Sequence, residues 1–140
     1  MASRVAITEA IRRLRGTWRS DRKKTMSRWV FPKRLADEKR RFWASIFGKN
    51  VWRFTTENVY GTFEDQRSVS RYKVLWADQW SAVVLFRDGK EQRVHHIFFD
   101  GDWFYLLAGR DNVEYFKRAT PNRGFESGRA KEPRAAQRGR

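Results

Sequence analysis

Residues 80–108 read WSAVVLFRDGKEQRVHHIFFDGDWFYLLA, and they carry the strongest indication of the architecture. Three apolar runs are separated there by Asp88-Gly89 and Asp100-Gly101. An Asp-Gly dipeptide between apolar runs is typical of a tight hairpin, because the turn needs positive φ angles that glycine adopts freely and aspartate tolerates. The stretch therefore predicts three consecutive antiparallel strands, which cover 80–87, 92–99 and 103–108.

Further strands are predicted on both sides of these three. Short runs of aromatic and β-branched residues occupy 51–56, 59–63, 67–76 and 113–118. Together they predict a mainly β protein, in which residues 50–118 form an antiparallel sheet wound into a small barrel. Both faces of the predicted strands are apolar at 81–86 and 97–99, which indicates that a further element packs on the face opposite the barrel interior. A helix or a second copy of the protein in a homodimer fits that description.

Two helices are predicted before the sheet. Residues 3–14 place apolar side chains at helical spacing, Ser3 or Thr8 suits the N-cap, and Gly16 follows the end. Between 17 and 31 we expect one or two strands joined around 21–24. A second helix is predicted over 33–47, where aromatic and aliphatic side chains share one stripe and Gly48 follows. We expect this helix to cover an open end or face of the sheet.

The composition indicates one globular domain with a basic tail. Of the 140 residues, 40% are hydrophobic and 16% aromatic, which suffices for a single core. We expect the barrel domain over 1–118 and a disordered tail over 119–140, where Pro, Gly and Arg dominate. The sequence contains neither the apolar run of a signal peptide nor one of about 20 residues that would span a bilayer. We therefore expect a cytoplasmic protein without a transmembrane segment.

The charge is concentrated at the two ends of the chain. The formal net charge is +15, and residues 1–41 carry 14 basic and 4 acidic side chains. Such a field attracts nucleic acid, an acidic membrane or an acidic protein without selecting among them. Trp18 and Trp29 lie among the basic residues, a pattern that suits phosphate contact and base stacking. Candidate residues for non-specific polyanion binding are Arg12, Arg13, Arg15, Arg19, Arg22, Lys23 and Lys24; a solvated surface is the alternative explanation.

The order of these elements resembles the lipocalin/calycin superfamily. The residues that carry the resemblance are Gly16-Thr17-Trp18, after the first helix, and 115–118 on the last strand. In that superfamily the tryptophan of the Gly-x-Trp motif closes the base of the barrel, and a basic residue from the last strand packs across its indole. The resemblance therefore implies a structural cation–π contact between Trp18 and Arg118 or Lys117. It also implies a barrel that holds a small, largely apolar ligand inside.

Strand alternation supplies the candidate residues for such a pocket. Side chains of one parity are expected to point into the barrel. These are Trp52, Phe54, Tyr72, Val74, Trp76, His96 and Tyr105. The alternative function is a basic interaction module that binds nucleic acid or another polyanion.

Catalysis and metal binding have little support in the sequence. His95 and His96 are strand neighbours that point to opposite faces, so they do not chelate one metal together. If one of them is functional we favour His96. The chain has no cysteine, most of its carboxylates lie in or beside predicted turns, and Walker A, Gly-x-Ser-x-Gly and His-Glu-x-x-His motifs are missing. We expect no cofactor and no metal, although a lipocalin-like barrel with enzymatic activity remains an alternative.

Overall fold

The structure is a computed structural model that describes residues 3–108 and 112–119. Within these ranges eight antiparallel strands form one closed barrel, in which each strand pairs with its sequence neighbours and the last pairs with the first. The strands are β1 (Gly16–Ser20), β2 (Asn50–Phe54), β3 (Asn58–Phe63), β4 (Gln66–Ala77), β5 (Ser81–Asp88), β6 (Glu91–Asp100), β7 (Trp103–Leu107) and β8 (Val113–Arg118). The predicted mainly β barrel is confirmed.

Three helices accompany the barrel in the described part of the chain. They are α1 (Arg4–Leu14), α2 (Arg22–Arg28) and α3 (Asp37–Ile46). Ser3 caps α1, since its Oγ accepts a hydrogen bond of 3.0 Å from the Ala6 N–H. Ala10 and Leu14 of α1 are buried in the core. Helix α1 therefore covers the end where β1 begins, called the base below, and α2 leaves from the opposite end, called the mouth.

Aromatic rings fill the centre of the barrel. Trp52 of β2 packs on Phe116 of β8 and Phe86 of β5, with ring centroids 4.7 and 5.2 Å apart. Trp18 of β1 meets Phe104 of β7 at 4.7 Å. Each fully buried ring of this kind contributes about 1.5–3 kcal/mol through removal from water. Tyr72 of β4 and Phe99 of β6 also belong to the core, so every strand except β3 contributes an aromatic ring to it.

The predicted second strand between 17 and 31 is wrong, because residues 22–28 form α2. The Asp21 carboxylate accepts a hydrogen bond of 2.9 Å from the Lys24 N–H and so caps the helix. Thr25 is fully buried, and its Oγ1 accepts a bond of 3.0 Å from the Tyr115 N–H of β8. This cap and this tertiary contact outweigh the β propensity of the local sequence.

The second predicted helix is present but shorter than expected. Helix α3 begins at Asp37 rather than at residue 33, and Asp37 and Glu38 in its first turn complement the helix dipole. Residues 29–36 instead form an irregular segment that connects α2 with α3. The chain leaves α3 through Gly48, whose φ of +90° is the left-handed conformation that glycine favours.

A β-bulge interrupts the alternation in β4. Val74 pairs with Val84, but Trp76 pairs with the next residue of β5, Val83, so Leu75 is an extra residue. Beyond the bulge the faces are exchanged. Trp76 therefore lies on the outer face, and Ala77, only 3% exposed, lies inside.

The outer face of β4 to β7 carries the predicted apolar side chains. Phe98 and Tyr105 stack there with centroids 5.1 Å apart, and Val94 is 59% exposed. The described helices lie at the base and the mouth, and none of them buries Val94. A second copy over this face stays a prediction. The tail predicted over 119–140 lies, except for Ala119, outside the described residues and also stays a prediction.

Candidate ligand-binding cavity at the barrel mouth

Four of the seven predicted pocket residues point into the barrel. They are Trp52, Phe54, Tyr72 and Val74, and the last three are buried. The Phe54 and Tyr72 rings meet edge to face at 5.2 Å. The Tyr72 hydroxyl donates a hydrogen bond of 2.6 Å to the Thr55 carbonyl, and burial raises the pKa of Tyr72 to about 12. These residues pack against one another as core. Whether any of the seven binds a ligand stays a prediction.

The predicted inward orientation of Trp76, His96 and Tyr105 is wrong. Trp76 is turned outward by the bulge in β4. His96 and Tyr105 lie on the outer face because β6 and β7 present Ile97 and Leu106 to the interior. The His96 Nε2 lies 3.0 Å from the Oγ of Ser81, a buried side chain.

The histidine inside the barrel is His95, which pairs with the buried Val84. Its ring centroid lies 4.8 Å from that of Phe86 and 5.6 Å from that of Trp52. Its Nε2 is buried without a hydrogen-bond partner among the described residues. Burial lowers the pKa of His95, and the charge of Arg93 adds to the effect. Shared parity with Ile97 and Phe99 was the sequence signal for this orientation.

At the base of the barrel Arg118 packs against Trp18; that this contact closes the barrel stays a prediction. The Arg118 guanidinium lies 4.2 Å from the centre of the Trp18 ring, as the lipocalin resemblance implies. It also donates to the carbonyls of Arg13 and Arg15, at 2.6 and 2.9 Å, where α1 ends. Gly16 allows this approach, because a Cβ there would lie 2.9 Å from the guanidinium. Lys117 faces outward, with its Nζ over the Trp103 ring.

A cavity of about 470 Å³ opens at the mouth of the barrel. Its wall combines the segment between α2 and α3, the end of α3, and the mouth ends of β2, β3, β7 and β8. The lining residues are Trp29, Val30, Phe31, Pro32, Leu35, Trp43, Ile46, Phe47, Asn50, Phe63, Ala108, Asn112 and Glu114. None of them was among the predicted pocket residues, because residues 29–47 and 108–114 meet only in the folded chain.

The segment between α2 and α3 is fastened over this cavity. The Asn112 side chain accepts a hydrogen bond of 2.8 Å from the Val30 N–H and donates one of 3.0 Å to the Val30 carbonyl. Trp29 packs on Phe47 with centroids 4.6 Å apart. Arg40 of α3 donates to the Leu35 carbonyl at 3.2 Å. These contacts hold the aromatic wall in place.

Glu114 is the acidic group of the cavity. It points inward because it shares parity with Phe116, a signal that the sequence contained. Its Oε2 accepts a hydrogen bond of 2.7 Å from the buried Ser20 hydroxyl. Burial raises the pKa of Glu114, and the bond from Ser20 opposes part of that rise. Among the ion pairs of the described residues, none includes Glu114.

The seven candidate polyanion-binding residues do not form one cluster. Arg12, Arg13 and Arg15 belong to the base, where Arg12 pairs with Glu9 and Arg13 donates to the Gln79 carbonyl at 2.7 Å. The other four follow β1 and α2 toward the mouth. Within that second group the Lys24 ammonium lies 4.2 Å from the centre of the Trp103 ring. Whether either group binds a polyanion stays a prediction.

The residues that the structure describes lack two further features. They contain no group of three or more histidine, aspartate or glutamate side chains arranged to hold a metal ion. None of their helices has both the length and the apolar character required to cross a membrane. No protein-family model, curated protein or solved structure matches this chain significantly.

Proposed function

We propose that the protein is a lipocalin-like, non-catalytic binding protein for a small, largely apolar molecule. The observation that carries this proposal is the cavity of about 470 Å³ at the mouth, lined by aromatic and aliphatic side chains with a few polar groups. Ligand sites in proteins commonly have this size and composition. The closed eight-stranded barrel and the contact between Trp18 and Arg118 support the lipocalin-like part.

We infer that the ligand binds at the mouth rather than at the barrel centre. At the centre, the rings of Trp52, Phe86 and Phe116 already contact one another. A ligand there would have to displace core side chains, which costs several kcal/mol for each large side chain. The mouth cavity needs no such displacement.

Filling the cavity tests the proposal. Ala108 lines the cavity, whereas its neighbour Leu107 is exposed on the outer face. With Nile red as a neutral apolar probe, we expect Ala108→Trp to weaken binding at least about tenfold, which corresponds to 1.4 kcal/mol. Leu107→Trp adds the same indole outside the cavity and should leave the affinity unchanged. Equal Nile red affinity in Ala108→Trp and the unmodified protein, with circular dichroism unchanged, would rule out the cavity as the site.

Polyanion binding at the mouth is the second candidate function. Residues 22–41, called the basic cap below, carry nine basic and two acidic side chains. Phe42, next to the cap, is 60% exposed, and Trp43 is also exposed. Exposed aromatic rings beside cations suit the stacking and phosphate contacts of single-stranded nucleic acid.

A further inference from the structure

We propose that the mouth cavity selects ligands that carry a protonated amine on an apolar body, and that Glu114 binds the amine. This inference rests on the proposed function and names the ligand class of that same cavity. It is independent of the net charge of the protein, which favours anions.

The first observation is the charge of the cavity wall. Of its thirteen lining residues in the described chain, Glu114 is the one with an ionisable side chain. The others are apolar, apart from the amides of Asn50 and Asn112. The Asn112 amide is occupied at both its Oδ1 and its Nδ2 by the backbone of Val30. In a protein of net charge +15, the interior of this cavity therefore presents a negative group.

The second observation is the orientation of the carboxyl group. The Gly48 N–H donates a hydrogen bond of 3.2 Å to the Ser20 Oγ, so the hydroxyl hydrogen of Ser20 is left to donate to Glu114 Oε2. Ser20 is 2% exposed, which fixes this arrangement away from water. Oε2 is thus held as an acceptor. Oε1 has no hydrogen bond to any described residue and remains available to a donor in the cavity.

The third observation is that no ion pair of the described residues includes Glu114, although the sequence contains 31 lysine and arginine residues. Arg40, which belongs to α3, donates instead to the carbonyls of Leu35, Pro32 and Lys33. A carboxylate in apolar surroundings is costly until a proton or a cation neutralises it. Burial accordingly raises the pKa of Glu114.

An ammonium group on the ligand satisfies these conditions together. Its N–H donors match Oε1 in a charge-assisted hydrogen bond, which is about twice as strong as a neutral one. The rings of Trp29 and Phe47, packed at 4.6 Å, offer aromatic faces that attract a cation. An alcohol leaves the carboxylate charge uncompensated, and a carboxylate ligand is repelled by it.

The experiment compares three probes that have the same apolar chain. We would titrate the full-length protein with n-octylamine, n-octanol and n-octanoate by isothermal calorimetry, and repeat the series with Glu114→Gln. We expect n-octylamine to bind at least about tenfold more tightly than n-octanol, and n-octanoate most weakly. Glu114→Gln should abolish the preference for the amine and retain the binding of n-octanol. The matched control is Glu91→Gln, which removes one exposed carboxylate at the start of β6 and should preserve the order.

The net charge of the protein makes the expected order diagnostic. Non-specific attraction to a protein of charge +15 would favour n-octanoate, which is the opposite order. Equal binding of n-octylamine and n-octanol, the tightest binding for n-octanoate, or an amine preference that survives in Glu114→Gln would each overturn the inference and leave the proposed function standing. If neither Nile red nor any octyl probe binds, the proposed function fails as well.

Discussion

At the scale of single residues, two adjacent histidines have opposite environments. His95 faces the barrel interior, where its ring contacts Phe86 and its Nε2 has no described partner. His96 faces outward, within 3.0 Å of the Ser81 hydroxyl. A buried imidazole resists protonation because the charged form loses its hydration. The two positions therefore provide a matched pair for measuring the cost of burying a histidine.

This difference predicts acid sensitivity of the fold through His95. Its pKa in the folded protein lies below the value of about 6.5 in the unfolded chain. Below that pH the unfolded state binds a proton that the folded state does not, so stability decreases as the pH falls toward the folded pKa. The loss is about 1.4 kcal/mol for each unit between the two pKa values. Urea unfolding at several pH values between neutral and mildly acidic conditions measures it.

Substitution separates this effect from general acid destabilisation. His95→Phe should flatten the decrease in unfolding free energy below about pH 6.5, whereas His96→Phe should retain it. If the unfolding free energy of His95→Phe depends on pH as that of the unmodified protein does, His95 does not cause the loss of stability in acid.

At the scale of elements, the bulge in β4 decides which side chains reach the core. It places Ala77 inside, beneath α1, and Trp76 outside. We expect Ala77→Leu to lower the free energy of unfolding by about 1–3 kcal/mol, because the added atoms overpack a filled site. Trp76→Thr should cost no more than about 1 kcal/mol, since it changes a partly exposed surface position. Urea denaturation of both variants measures the two changes.

A regular β4 strand would reverse this result. If Leu75 were paired in a regular ladder, Trp76 would share the inward face with Val74, and its truncation would cost about 3–5 kcal/mol. A large loss for Trp76→Thr together with a small one for Ala77→Leu would therefore contradict the bulge.

The strands and helices differ in how far the sequence predicted them. The hairpins at Asp88-Gly89 and Asp100-Gly101 depend on local backbone conformation, and both glycines have φ near +60° as the turn requires. The bulge has no local sequence signal. Regular alternation of side chains beyond Val74 therefore predicted that Trp76 points inward, whereas it lies on the outer face. Helix α2 replaced a predicted strand because Thr25 bonds to Tyr115, a contact between residues 90 positions apart.

The candidate site was less predictable than the barrel for the same reason. Its wall joins Val30 to Asn112 across 82 positions of sequence. Alternation along β8 was sufficient to place Glu114 inside with Phe116. It did not reveal that the α2–α3 segment would leave a cavity in front of the carboxyl group, because that requires the position of a segment without regular structure.

At the scale of the whole molecule, charge and apolar surface are arranged around one opening. The basic cap lies beside the cavity, so polyanion binding and apolar ligand binding are separable by salt. With a single-stranded oligonucleotide, we expect affinity to fall steeply with salt, and Arg22→Gln combined with Lys23→Gln to reduce the slope of log affinity against log salt by about 1.4. Nile red affinity should change little. Fluorescence titration over a salt series measures both.

A control double variant elsewhere on the barrel tests whether the oligonucleotide binds at the basic cap. Arg87→Gln combined with Lys90→Gln removes two exposed cations from the β5–β6 hairpin and should leave the slope unchanged. Equal reductions in the two double variants would mean that the oligonucleotide follows net charge rather than the cap.

The pairing of β1 with β8 has a consequence for how the chain acquires its structure. Trp18 lies opposite Arg118, a separation of 100 residues, whereas the other strand pairs join neighbours in sequence. During synthesis on a ribosome, β1 cannot pair with β8 until residues 113–118 have emerged. The Trp18 indole is not covered by Arg118 before that point. We expect the hairpins to form first, because their contacts are local, and the β1–β8 pairing to form last, so that its loop-closure entropy is lost in that final step. During synthesis we therefore expect an open sheet, and this is the form that a chaperone would bind.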